Sequence, residues 1–144
     1  MIVSKILETK PKGGVISVTP TSSVADAAAL LSKRKIGTVV VSADGKSLDG
    51  ILSERDIVRA LGANGPSCLD QKVNELMTSK IITCSSTERA DDVLTKMTQG
   101  RFRHMPVVDG GTMIGLISIG DVVKARLAEL AMEKDALEGM IMGH

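Results

Sequence analysis

The stretch Gly115-Leu116-Ile117-Ser118-Ile119-Gly120-Asp121-Val122-Val123-Lys124-Ala125 has a counterpart earlier in the chain, Gly50-Ile51-Leu52-Ser53-Glu54-Arg55-Asp56-Ile57-Val58-Arg59-Ala60. Each copy runs glycine, apolar run, serine, aspartate three residues on, then two apolar residues, a base and an alanine. The spacing predicts a strand that ends at the serine and a helix that begins there. The serine then sits near the N-cap and the aspartate in the first turn, as in a capping box. A single copy is accounted for by an ordinary capped helix. Two copies in equivalent contexts weaken that account.

Working outward, the surroundings repeat as well. Ile16 aligns with Ile82 and Val41 with Val107 at one common offset. Gly50 aligns with Gly115 and Asp56 with Asp121 at an offset shorter by a single position. The second turn therefore carries a one-position deletion, which loops tolerate. In the first half, Val15-Ile16-Ser17-Val18 predicts a short strand. Thr19 to Ser23 turns and caps a helix from about Val24 to Lys35, with Val24, Ala27, Ala28 and Leu31 inward and Gly37 ending it. The β-branched run Thr38-Val39-Val40-Val41 suits a strand buried on both faces. Residues 43–46 are a turn, Leu48 to Leu52 a strand, and a helix runs from Ser53 to about Leu61. Gly62-Ala63-Asn64-Gly65-Pro66 reads as a linker, followed by a short helix around Val73 to Met77.

The second half repeats the order. Ile81-Ile82-Thr83 is the strand, and Ser85-Ser86-Thr87 caps a helix with Ala90, Val93, Leu94 and Met97 inward, ended by Gly100. His104 to Val108 is a strand, Asp109-Gly110-Gly111 a turn, and Met113 to Ile117 a strand. Ahead of both halves, Ile2 to Leu7 forms one or two helical turns with Ile2, Ile6, Val3 and Leu7 as inward positions, broken by Lys10-Pro11-Lys12-Gly13-Gly14. The fold class is α/β (α+β): two β-α-β-β-α units around a shared core, related by a quasi-two-fold. The divisions are 1–66 for the first repeat with its N-terminal helix and linker, 67–125 for the second repeat, and 126–144 for a helical extension.

Composition excludes several function classes. The chain has 144 residues, a net charge of +1 and 24% charged residues, so nothing marks a general polyanion binder. One Phe, no Trp and no Tyr disfavour single-stranded nucleic acid, which stacks on aromatic side chains. Cys68 and Cys84 are far apart in the chain, form no zinc-ligand spacing and read as free buried thiols in a reducing compartment. No apolar run approaches the roughly 18 residues of a membrane span, and the N-terminus lacks a signal-peptide layout. A cytoplasmic protein is the expectation. No nucleophile–base–orienter set and no phosphate-loop pattern occurs, which argues against an enzyme. His104 has no carboxylate at metal-ligand spacing and the other histidine is the terminal His144, so no metal is expected.

Taken together, the phrases Ile36-Gly37-Thr38-Val39-Val40-Val41 with Gly50 to Asp56, and Phe102-Arg103-His104-Met105-Pro106-Val107-Val108-Asp109 with Gly115 to Asp121, resemble a tandem pair of CBS domains, a Bateman module. The resemblance runs from about Val3 to Ala125 and is strongest to small stand-alone bacterial CBS-pair proteins. It implies binding of adenine nucleotides in clefts between the repeats, with AMP first and ATP or NAD as alternatives, and no metal. By resemblance, Asp56 and Asp121 take ribose hydroxyls, Ser53 and Ser118 lie near phosphate at the helix N-terminus, and Ile36 and Phe102 flank adenine. Ser17 and Thr83 fall near the base edge, and Thr78 on a further contact position.

The chemistry suits these assignments. A carboxylate accepts from both hydroxyls of a cis-diol, and a helix N-terminus offers unpaired N–H groups and a partial positive charge. The resemblance also implies phosphate contacts from Arg103 and His104. The first repeat carries Gly37 and Thr38 there instead and lacks the proline, so the two clefts are unequal; Arg55 is a local replacement cation. Core packing for Ile36 and Phe102, and a solvated surface for the basic residues, are the competing readings.

After Ala125, Leu127, Leu130, Leu137 and Ile141 fall near a/d spacing with Lys134 interrupting. That pattern fits a helical contact across a homodimer, and equally a helix packed back on its own N-terminal helix. Two classes of function follow: a non-catalytic regulatory module that senses an adenine nucleotide, acting through its dimer or a regulated protein, or a structural protein with empty clefts. Nucleic-acid binding is a weaker third, and no membrane partner is expected.

Overall fold

A computed structural model describes residues 1–10 and 14–142. The expected helix break at Pro11 to Gly13, and His144, lie outside them. The described elements run α1 (Val3–Glu8), β1 (Ser17–Val18), α2 (Val24–Arg34), β2 (Thr38–Val41), β3 (Gly50–Ser53), α3 (Glu54–Asn64), α4 (Val73–Leu76), α5 (Ala90–Gly100), β4 (His104–Asp109), β5 (Thr112–Ser118) and α6 (Ile119–Ile141), a mixed α+β fold. They group into two compact bodies. One holds α1, α5, most of β4, the end of β5 and α6; the other holds β1 to α4 and the hairpin tip, residues 109–114.

In the β1-to-α4 body, β2 is the central strand of three, parallel to β1 and antiparallel to β3. All four of its residues are buried, as its β-branched run requires. Val39, Val41 and Leu52 meet Val24, Ala27 and Leu31 of α2, Ile57 of α3 and Val73 of α4. Ser23 caps α2 by accepting from the Asp26 N–H at 3.0 Å. Its other end is not set by Gly37: Lys35 turns left-handed at φ 54° and stops the helix sooner. Helix α3 also differs from its expectation. It runs through Gly62, Ala63 and Asn64, until Gly65 at φ 76° ends it and Pro66 opens a 3-10 turn to Asp70. The linker-like composition reflects that turn, in which Cys68 is buried.

In the other body, Ala90, Val93 and Met97 of α5, Met105 and Val107 of β4, Ile117 of β5, Val122 and Ala125 of α6, and Val3 and Ile6 of α1 form one core. Ile2 is not inward; it is the N-cap of α1, 38% exposed, and bridges to Arg89. The strand expected at Ile81-Ile82-Thr83 is absent. The chain passes from one body to the other between Ile82 and Thr83, and only Cys84 pairs, as a parallel bridge to Val107. Cys84 and Val107 are the repeat counterparts of the paired Val18 and Val41, so this strand pairing survives in the second repeat as a lone bridge. Helix α5 starts after Arg89 rather than after the serines, because residues 85–88 close a turn in which the Ser85 N–H donates to Glu88 Oε2 at 2.6 Å. Its left-handed end is Arg101, φ 57°, the counterpart of Lys35.

The short helices α1 and α4 are also counterparts in the repeat. Leu7 lies against Gly115, where a Cβ would come within 2.6 Å of Leu7 Cδ2; Met77 lies against Gly50, where a Cβ would come within 2.5 Å of Sδ. At Gly50 the Thr78 carbonyl also stands 3.0 Å from that position, so close approach holds the glycine there, whereas at Gly115 the neighbour is the movable end of the Leu7 side chain. Helix α1 belongs to the body of the second repeat's phrase, and α4 to the body of the first.

Candidate functional site

Both serine–aspartate steps are capping boxes. At the start of α3, the Asp56 N–H donates to Ser53 Oγ at 3.4 Å and the Ser53 N–H donates to Asp56 Oδ2 at 2.9 Å. At the start of α6, the Asp121 N–H donates to Ser118 Oγ at 3.1 Å and the Ser118 N–H donates to Asp121 Oδ2 at 2.8 Å. A further pair of bonds repeats. The Glu54 N–H donates to the Gly37 carbonyl at 2.9 Å, and the Ile119 N–H to the Arg103 carbonyl at 2.8 Å. These ties bring each helix N-terminus beside the residue that leads into the middle strand of its repeat, β2 or β4. Among the described residues, all bonds to the two carboxylates run to Oδ2, which leaves each Oδ1 as an acceptor.

The two sites part company at their cations. Lys10 Nζ donates to Asp121 Oδ2 at 2.7 Å and to the Leu116 carbonyl at 2.9 Å. Burial raises the Asp121 pKa, but the Lys10 bond and charge and the Ser118 donors outweigh it, so the carboxyl lies below its ordinary value. His104, half-buried at the start of β4, responds to the same group. Burial lowers its pKa, Lys10 and Arg103 lower it further, and Asp121 opposes them; the net shift is down from 6.5. Asp121, Lys10, Arg103 and His104 therefore form one electrostatic cluster with the Ser118 cap, at a helix end where Gly120 puts no side chain over its own N–H.

At Asp56 the second donor is only the Ser53 hydroxyl, at 3.1 Å. Thr38 stands where the other repeat has His104, Gly37 where it has Arg103, and Arg55 is exposed on α3. Lys80, the repeat counterpart of Lys10, is exposed, and no described hydrogen bond joins it to Asp56. Ser17 is half-buried in β1. Thr78 is exposed and exchanges both backbone bonds with Ile51, at 2.9 and 3.0 Å. Thr83 is half-buried beside the Cys84 bridge.

Ile36 and Phe102 are each half-buried against the core of their own body. The Phe102 ring lies over Gly100, where a Cβ would overlap it. Ile36 also lines an open groove of about 560 Å³ between α2 and α3, with Leu31, Lys35, Gly37, Glu54 and Val58; Ser53 and Asp56 are not among its walls.

Lys10 is the residue that sequence reasoning missed. It is remote in sequence from Asp121, in a segment read only as a helix break. A signal existed in the repeat of the short helices: Val3, Ile6 and Leu7 align with Val73, Leu76 and Met77, which sets Lys10 against Lys80.

A family model described as CBS domain matches residues 3–63 and again 73–128. The chain is a tandem pair of CBS domains. Among solved structures, the pair is similar to the CBS-domain protein ATU1752 from Agrobacterium tumefaciens, at 41% identity and TM-score 0.81, covering 88% of this chain and 99% of that one. It is similar also to the CBS-domain protein PAE2072 from Pyrobaculum aerophilum, solved in complex with AMP, at 28% identity and TM-score 0.76, covering 92% and 99%. Among curated relatives, the mitochondrial CBS-domain protein CBSX3 of Arabidopsis thaliana is 34% identical, over 98% of this chain and 72% of that one. Among the described residues, no group of three His, Cys, Asp or Glu side chains could hold a metal ion, and no helix is long and apolar enough to cross a membrane.

Proposed function

We propose that this CBS pair is a non-catalytic regulatory module that binds an adenine nucleotide, AMP before ATP or NAD, and works as a homodimer in the cytoplasm. The observation that carries the reading is the cluster at the start of α6. It holds a carboxylate with a spare oxygen for a ribose diol, a helix N-terminus, and three basic side chains, Lys10, Arg103 and His104. In this reading Asp121 takes the ribose, the cations and helix end take phosphate, and Ser118 orients both. Asp56 with Ser53 is a second ribose site with fewer cations. Phe102 and Thr83, and Ile36, Ser17 and Thr78, serve the base, and Arg55 lies toward phosphate at the second site. The AMP complex of the Pyrobaculum relative supports the ligand class. The exposed apolar end of α6 supports association with a second copy.

The chain has no Trp and no Tyr, so it absorbs almost nothing at 280 nm. A 260 nm band in the purified protein exposes a retained nucleotide directly, and acid extraction with mass spectrometry identifies it. Calorimetry with AMP, ATP, NAD and adenosine then ranks ligands. Absence of a retained nucleotide together with no heat from any of the four ends the sensing reading for these ligands. A second reading, a structural protein with empty clefts, is favoured by the Lys10–Asp121 ion pair, which satisfies the carboxylate without a ligand. Under it, none of the four titrates.

A further inference from the structure

Helix α6 is 23 residues long, but its packing inside the chain ends early. Val122 and Ala125 are its buried residues, and Glu129, ion-paired with the amino group of Met1 and with Arg126, is the last to make a long-range polar contact among the described residues. Beyond it Leu130, Met132, Leu137, Met140 and Ile141 are all exposed, Ile141 at 80%. A dozen helical residues without tertiary cover are marginal in water. The apolar positions are also ordered. Val123, Leu127, Leu130, Leu137 and Ile141, with Lys134 between, alternate in steps of four and three, a heptad seam about 110° around the helix from the face that Val122 packs.

We infer that this seam is a homodimer contact in which two α6 helices run antiparallel; the inference rests on the homodimer reading above and adds its surface and direction. Charge decides the direction. With Leu127 and Ile141 at the a position, Lys134 is also a, Lys124 and Glu138 are e, and Arg126 and Glu133 are g. In a parallel pair, g faces e of the next heptad. Glu133 then meets Glu138 of the other copy twice, and Lys134 meets its own copy in the core.

In an antiparallel pair, a meets d and e meets e. Leu127 then packs on Leu137, and Val123 on Ile141. Lys134 lies along Leu130, its stem covering apolar surface and its ammonium reaching water. Lys124 faces Glu138 of the other copy twice. One like-charged pair remains, Glu133 with its own copy, against three in the parallel arrangement. The seam spans about 28 Å at 1.5 Å per residue.

Sedimentation equilibrium of the full chain at low salt tests it through Lys124→Glu, Glu138→Lys and the double swap. Each single change sets like charges opposite one another twice and weakens dimerisation about tenfold; the double swap restores it to within about threefold of wild type. If Glu138→Lys tightens the dimer, the helices run parallel and the direction is overturned. If all three variants dimerise like wild type, the seam is not the contact, although the homodimer reading stands. A wild type that stays monomeric overturns both.

Discussion

Asp121 and Asp56 hold the same place in the repeat, close the same capping box and start helices of the same kind, yet their surroundings carry different electrostatics. Asp121 has Lys10 on its carboxylate and acts on His104, which also feels the charges of Lys10 and Arg103. Asp56 has a serine hydroxyl, a threonine and a glycine in the corresponding places, and its candidate lysine, Lys80, is exposed. Duplication preserved the backbone device and let the charges diverge. The backbone part is under folding constraint, since a lost cap costs about 1 kcal/mol. The cations add to stability only through the one Lys10–Asp121 pair, and their difference is where function is expected to reside.

The largest expected effect is on ribose binding. Asp121→Ala removes the carboxylate whose free oxygen accepts from the diol, and charged hydrogen bonds are worth about 1.5–3 kcal/mol each, so AMP affinity falls tenfold or more. Asp56→Ala lowers it less at the stronger site. The fold survives both: each loses a first-turn carboxylate worth about 1 kcal/mol, and Asp121→Ala also loses its Lys10 ion pair, about 1 kcal/mol or less. Calorimetric titration of wild type and both variants in one buffer reads the ranking. A larger loss from Asp56→Ala reverses the comparison.

Much of this architecture was legible in the chain. The continuous β-branched run located β2, helical spacing and capping signals located α2 and the two serine caps, and the near-constant offset between matching residues set the two halves in register. Two of the misses are decided by packing between segments distant in sequence. Nothing near Ile81-Ile82-Thr83 reports that the chain changes bodies there. Lys10 was hidden for the same reason, since α1 reaches the second repeat's phrase only once folded.

The next effect concerns the lysines. Lys10→Met removes a cation from a phosphate site and lowers AMP affinity about fivefold, with adenosine affinity nearly unchanged, because only AMP carries phosphate. Lys80→Met changes both by less than twofold. If Lys10→Met strengthens both ligands instead, Lys10 competes with ribose for Asp121 and the cluster is a self-satisfied ion pair.

A smaller effect separates the sites by pH. A bound phosphate favours protonated His104, whose pKa in the free protein is lowered from 6.5 by burial and by Lys10. AMP affinity at the Asp121 site then falls as pH rises through a window from that depressed value up to the higher bound-state value. The Asp56 site, with Thr38 in the histidine's place, shows no such slope. Proton NMR of His104 supplies the second reading: Lys10→Met raises its pKa and Asp121→Asn lowers it. A histidine shift indifferent to both changes takes His104 out of the cluster.

The smallest effect is on stability. Asp121 is depressed in the folded chain, so the unfolded chain binds more protons between the folded value and the ordinary 3.8. Its contribution is present above pH 3.8 and is lost as pH falls through the folded value. Both partners of the ion pair keep about a third or less of their side-chain exposure, 33% for Lys10 and 27% for Asp121. Solvent therefore screens part of the attraction, and the pair is worth about 1 kcal/mol or less. Urea melts of wild type and Lys10→Met should differ by that amount at pH 7 and converge as pH falls below the folded-state value of Asp121, where the carboxyl is protonated in both. A difference that persists unchanged down the acid limb of the melt series would assign it to the packing of the Lys10 stem and not to the charge that distinguishes Asp121 from Asp56.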